Sequence, residues 1–382
     1  MNKKTYGNQL LIRLICSIGL FSFAGLQANP CHASEPGKQP VIEQTVDGAV
    51  RYFKSEQKRR LGITARAMGQ VIPYLYMGPM GIDSREMLRR RIGQVQKASN
   101  HAAALGYMHR DLGMALMRML QAQGVSEKAA QQRAGKVFSE LRPEPLEATY
   151  EGWYLVLEAL NRVYGYLDIH WGEWKPGGKG VTFSDEKLNI GYQTLADRLG
   201  ETVDQMDAIQ NSLSESGQQP EKKEPRASTK QEAQQAIDAA MQLFNEQRQL
   251  RMQAASESMI DVAPFLKREP SGISEPQALF NAQVAHENAI RPVAALVDMQ
   301  RGFHDSLTRL LDSLHMKNRA EKQQISKQIT TTDSGIAAGY EQELELLWAL
   351  KRTYEYLDLH RGEWEEHGGT TAFADNKLAA PY

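Results

Sequence analysis

The chain has 382 residues, a formal net charge of −1 and two cysteines. A balanced charge excludes a globally basic surface of the kind that binds nucleic acid through its phosphates. Two cysteines, Cys16 and Cys31, exclude a disulfide framework, so stability has to come from burial of a core, which a chain of this length can supply.

Residues 1–13 carry Lys3, Lys4 and Arg13 and no acid, and Leu14 to Leu26 are apolar or small throughout. A basic head followed by a short apolar run is the layout of a secretory signal peptide. The run has about 13 residues against the roughly 20 that span a bilayer. We therefore expect a signal peptide over 1–33, cleaved after Ala28 or Ala33, in preference to an uncleaved anchor, and a periplasmic or secreted location. No transmembrane segment is expected after cleavage.

Residues 41–211 read as a first helical domain. Ser84-Arg-Glu-Met opens a segment running to about Gln123, with Met87, Leu88, Ile92, Val95, Leu105, Met108, Leu112, Leu116 and Leu120 at helical spacing. Gly124 can end it and Ser126 can cap the next helix. Pro143 and Pro145 separate a short helix from a last long one, where Tyr154, Leu157, Leu160, Tyr164 and Leu167 form a stripe. The order is long, long, short, long, with no strand-like alternation. Residues 212–230 are polar, charged and Pro-containing, and read as a disordered flexible linker. Residues 231–382 read as a second helical domain, in which Pro292 predicts a kink or break.

The second domain repeats the first. Tyr150 to Leu188 and Tyr340 to Leu378 share 19 identities in 39 gapless positions, far above chance, and weaker matches reach upstream: Phe53, Pro73 and Leu75 face Phe244, Pro264 and Leu266. Density of this kind marks a duplicated unit. The fold class expected is all-α, two tandem four-helix-bundle-like domains on a linker. The copies differ in charge. Residues 43–200 carry about five more basic than acidic groups and residues 231–382 about seven more acidic than basic.

The densest shared block is Tyr-Leu-Asp-[Ile/Leu]-His-x-Gly-Glu-Trp: Tyr166, Asp168, His170, Glu173 and Trp174, and Tyr356, Asp358, His360, Glu363 and Trp364. These ten residues are the candidate ligand-binding positions. Three readings compete. As a metal site, His and Glu are suitable ligands, but Asp168 and His170 point about 200° apart on one helix. As a ligand pocket, the aromatics with an acid and an imidazole resemble parts of a small-molecule or sugar site. As a folding element, Gly172 and Gly362 supply left-handed caps, His170 and His360 suit the last helical turn, the tryptophans fold back, Glu173 pairs with a nearby Lys or Arg, and Asp185 and Asp375 brace the following turn. The folding element is the preferred reading. The basic stretches Arg51 to Arg60 and Arg89 to Arg91 read as solvated helix faces in preference to a polyanion surface.

No Cys-x-x-Cys-His, Gly-rich phosphate loop, Gly-x-Ser-x-Gly or His-Glu-x-x-His pattern occurs, and no cofactor is expected. The expectation is an exported, non-enzymatic helical interaction protein of the bacterial envelope, with a protein or envelope component as partner and no nucleic acid. Its alternatives are a small-ligand or metal-binding sensor acting through the repeated block, and an envelope glycan hydrolase acting through Glu173 or Asp168.

Overall fold

The computed structural model describes residues 39–77, 79, 81–141, 144–177, 180–214, 229–266, 276–316, 318–330, 335–367 and 370–373. The expected signal peptide, both cysteines, most of the expected linker and Asp375 lie outside the described residues. The fold is all-α. The helices are α1 (Gln39–Met77), α2 (Arg85–Ala122), α3 (Glu127–Leu141), α4 (Glu144–Ile169), α5 (Glu186–Ser214), α6 (Lys230–Val262), α7 (Pro276–Ser313), α8 (Arg319–Thr330) and α9 (Gly335–Leu359). A 3-10 turn, Ala263–Leu266, follows α6. No described helix is long and apolar enough to cross a membrane.

Local chemistry sets the helix limits. Ser84, in extended backbone, accepts the Met87 N–H at 3.2 Å and caps α2. At the other end Gly124 takes φ +81°, and the N–H groups of Gly124 and Val125 donate to the carbonyls of Gln121 and Leu120, a Schellman closure. Thr229 and Glu232 form a reciprocal capping box at the start of α6, with the Thr229 N–H donating to Glu232 Oε2 at 2.7 Å and the Glu232 N–H to Thr229 Oγ1 at 3.2 Å. Asp185 accepts the Lys187 N–H at 2.7 Å and opens α5.

Four sequence expectations change here. Each long-long-short-long set is followed by a two-stranded antiparallel hairpin: β1 (Trp174–Gly177) with β2 (Gly180–Phe183), and β3 (Trp364–His367) with β4 (Thr370–Phe373). Four-residue strands are too short to show an alternation, so no pattern announced them. The first copy has a fifth helix, α5. That helix runs through Ser214, and α6 begins at Lys230, so both ends of the 212–230 stretch are helical. Finally, α7 continues through Pro292 without a break. The ring forgoes one N–H bond, while Ile290 and Val293 beside it are fully buried, and that burial holds the helix together.

By their contacts the residues fall into two compact units. One is formed by the described residues of Ala33–Arg248 and Asp298–Ser334. Its main core joins Val71 of α1, Leu88, Ile92 and Val95 of α2, Tyr154, Leu157, Leu160 and Tyr164 of α4, Trp174 and Phe183 of the hairpin, and Tyr192 of α5. The first half of α6 and the second half of α7 belong to this unit. Phe244 stacks on Phe303 with centroids 3.7 Å apart, and Gly48 lies against the Ala236 backbone, where a Cβ would sit 2.9 Å from its Cα.

The other unit is formed by the described residues of Gln249–Val297 and Gly335–Tyr382. Met259 and Val262 of α6, Ile290, Val293 and Val297 of α7, and Leu344, Leu347 and Trp348 of α9 make its core. Leu279, Tyr354, Leu357 and Trp364 make a second cluster at the hairpin end. The boundaries between the units cut α6 and α7 within the helices, not at the 212–230 stretch.

Candidate functional site

The repeated block builds the same corner in both copies. The last helical turn ends as the His170 and His360 N–H groups donate to the carbonyls of Tyr166 and Tyr356. Gly172 and Gly362 then take φ +94° and +87°, the left-handed cap that glycine adopts without a Cβ penalty. This reverses the chain. Trp174 folds back and donates its indole N–H to the Leu167 carbonyl at 2.9 Å, and Trp364 does the same to Leu357 at 2.8 Å. Burial of an indole N–H favours such an acceptor.

The imidazoles are buried and bonded. His170 Nδ1 lies 2.8 Å from Glu173 Oε2 and His360 Nδ1 lies 2.7 Å from Glu363 Oε2. The acid's partner is therefore the histidine three residues earlier, not the Lys or Arg expected from sequence. A positive-φ glycine between them swings Glu173 back under the imidazole. Each ring also packs on the tyrosine one turn before it, with centroids 4.6 Å apart for Tyr166 and 4.4 Å for Tyr356. The Tyr166 hydroxyl donates to the Leu188 carbonyl at 2.8 Å, and burial pushes its pKa up to about 12.

The aspartates face away from the imidazoles and differ between copies. Asp168 accepts from Arg85 Nε at 2.7 Å and from Arg89 Nε at 3.2 Å, so two residues of α2 clamp the end of α4. Asp358 pairs with Arg361 and accepts from Gln283 Nε2 at 3.3 Å. The corner thus separates Asp168 from the His170–Glu173 pair, as the helical angle between positions 168 and 170 requires. Among the described residues no three His, Cys, Asp or Glu side chains gather to hold a metal ion.

A second polar centre lies in the interior of the larger unit. Glu56 accepts from Arg59 Nε at 2.9 Å and also pairs with Arg60. Ser306 bonds to the same carboxylate. Asp298 pairs with Arg60, lies 3.6 Å from Arg59 Nη2, and is 3.1 Å from His101 Nδ1. Burial alone would raise the Asp298 pKa. The Arg60 charge, the His101 bond and Arg59 outweigh it and hold the carboxyl well below the usual carboxylate range.

Arg59 and Arg60 are only 5 % and 2 % exposed, which corrects the reading of the whole Arg51–Arg60 stretch as a solvated face. Arg51, Lys54 and Lys58 are on the surface as expected. Arg91 is likewise buried, its guanidinium 4.7 Å from the Tyr74 ring centre. A sequence signal existed: Glu56 stands three and four residues before Arg59 and Arg60, the spacing of same-face ion pairs. Asp298, set among Val297 and Met299 in a buried stretch, was the missing partner.

Two further ionisable groups are perturbed. Burial lowers the pKa of His109, which stacks on Tyr150. Burial also pushes Glu343 of α9 up to about 7, and its Oε1 has no hydrogen-bond partner among the described residues. Comparison with protein-family models, with curated proteins and with solved structures finds no match to this chain.

Proposed function

We propose that this chain is an exported, non-catalytic helical binding protein of the bacterial envelope, derived by tandem duplication, whose repeated corner is a folding device. The observation that carries this reading is the equivalence of the two corners. In each, the imidazole holds the acid and the indole holds a helix carbonyl, so the polar groups with chemical potential close bonds within the fold. A general base is presented to its substrate, whereas both imidazoles here are buried and only the acids reach the surface. The basic head and apolar run over 1–33 support export, and the partner would be a protein or an envelope component.

Export is tested by N-terminal sequencing of the chain recovered from a periplasmic extract. The expected start follows Ala28 or Ala33; a full-length chain retained in the cytosol contradicts it. The non-catalytic part is tested on purified envelope glycan. No reducing ends should be released, whereas release that vanishes in Glu173→Gln would make the corner an active site. Elemental analysis should find no stoichiometric metal.

A further inference from the structure

We infer that the groove between the end of α7 and α8 is a binding site for a small organic anion with an apolar body. The groove has a volume of about 450 Å³, within the range of small-molecule sites. Leu311 and Met316 give it an apolar floor, Arg319 and Lys322 stand at its rim, and Thr308 and Ser326 bring hydroxyls. Asp312 also lines it and pairs with Lys322 at 2.6 Å. Arg319 stands at the rim beside Lys322, and its guanidinium fork suits a carboxylate or phosphate, head groups that share this chemistry.

The comparison with the first copy carries the argument. Helices α2 and α7 are both 38 residues long, and each ends at a left-handed residue, Gly124 in one and His315 in the other. Their residues therefore correspond one to one. In the first copy the same place is filled: Leu120, Ala130 and Ile42 form a buried apolar cluster, with Met117, Val125 and Val46 packed against it. In the second copy Thr308 replaces Met117.

Counted from the first residues of α3 and α8, Lys322 replaces Ala130, Ser326 replaces Ala134 and Arg319 replaces Glu127. A long side chain that plugged the seat has become a short hydroxyl. A buried alanine has become a cation, and an acid has become an arginine. All four replacements line the same groove. Drift on a solvated surface would scatter such changes. Leu120 alone is kept, as Leu311, at the floor where an apolar body would rest. The inference stands apart from the export and partner readings.

The test is calorimetric titration of the purified chain with sodium octanoate and with octyl phosphate, alongside inorganic phosphate and octylamine. One saturable site is expected for either amphiphilic anion, and the two arms tell which head group is preferred. Inorganic phosphate should bind at least about tenfold more weakly, a difference of about 1.4 kcal/mol, and octylamine should not compete. Thr308→Met and Arg319→Glu each restore the first copy's residue, so both should fold, as circular dichroism would verify, and each should weaken binding about tenfold or more. The inference is overturned if neither amphiphile saturates, if both variants bind as the parent does, or if inorganic phosphate binds as tightly as octanoate.

Discussion

Along α4 the stripe Gly152, Val156, Ala159 and Val163 is buried, and α5 lies over its two ends. A Cβ at Gly152 would sit 2.6 Å from Met206 Sδ, and Tyr166 reaches Leu188 and Gly191. Along α9 the corresponding Gln342, Leu346, Ala349 and Thr353 are exposed or half-exposed. Yet both helices end in the same corner, with the same imidazole–acid bond and the same indole–carbonyl bond. The corner thus depends on local contacts within about a dozen residues, while the flank of the helix answers to whatever lies beside it. Where α5 covers the flank, the sequence is small and apolar. Where no described helix covers it, glutamine and threonine appear.

The largest expected effect sharpens the contrast between packing and repeat. Asp298 and Ser306 come from the second copy, and Glu56, Arg59, Arg60 and His101 from the first, all within one compact unit. Asp298→Ala would leave Glu56 alone against two buried arginines, one charge in excess, a loss of about 3–5 kcal/mol in denaturant unfolding. A loss below about 1 kcal/mol would mean that the second half of α7 is not seated there. No counterpart exists to mutate, since the matching position in the first copy is Tyr107.

Glu343 gives the next effect, and it depends on pH. Its folded pKa, near 7, lies above its ordinary 4.5, so the folded state holds the proton more tightly than the unfolded chain. Stability is undiminished below pH 4.5, falls as pH rises from 4.5 to 7, and stays lower above 7. The total is about 3 kcal/mol for a shift of this size. Glu343→Gln should remove that slope and be more stable than the parent at pH 8 but not at pH 4. A parallel pH profile for both proteins would contradict it. The first copy has Trp153 at this place, so helix α4 has no carboxyl there to contribute such a step.

Gly152→Val is expected to cost about 1–3 kcal/mol through overpacking against Met206 and Ile209. Gln342→Val, on the flank that no described helix covers, should stay within about 0.5 kcal/mol. Equal costs would break the comparison of flanks. The smallest effect concerns the end of α7. His315 holds φ +48° where the first copy has Gly124, and His315→Gly should stabilise by about 1 kcal/mol. Thermal unfolding of the single variant is sufficient to check it.

Much of this was readable from the chain because it rests on short-range rules. The cap at Ser84, the glycine turns at 124, 172 and 362, the fold-back of the tryptophans and the stripe on α2 all follow from residue type and spacing. What escaped needed a partner far off in the chain or a local reversal of its direction. Arg59 and Arg60 look like surface cations until Asp298, more than 200 residues later, is beside them. Spacing points Glu173 to a nearby Lys or Arg and not to His170, because the effect of a left-handed glycine on the direction of the next side chain is not visible in it. The first hairpin is held by the buried Trp174 opposite Phe183, a pair whose nine-residue separation carries no strand signal. The division into units escaped altogether: a repeat in sequence tells which segments are alike, and α6 and α7 each contribute to both units because their apolar stripes continue past the point where the partners change.

The central claim is that one corner closes the fold twice by the same local bonds. A double-mutant cycle tests it directly, with His170→Ala and Glu173→Ala singly and together, and the same for His360 and Glu363, each followed by denaturant unfolding. Coupling energies of about 0.5–1.5 kcal/mol, alike in both corners, are predicted. Coupling near zero in either corner, or present in one and absent from the other, would contradict the account.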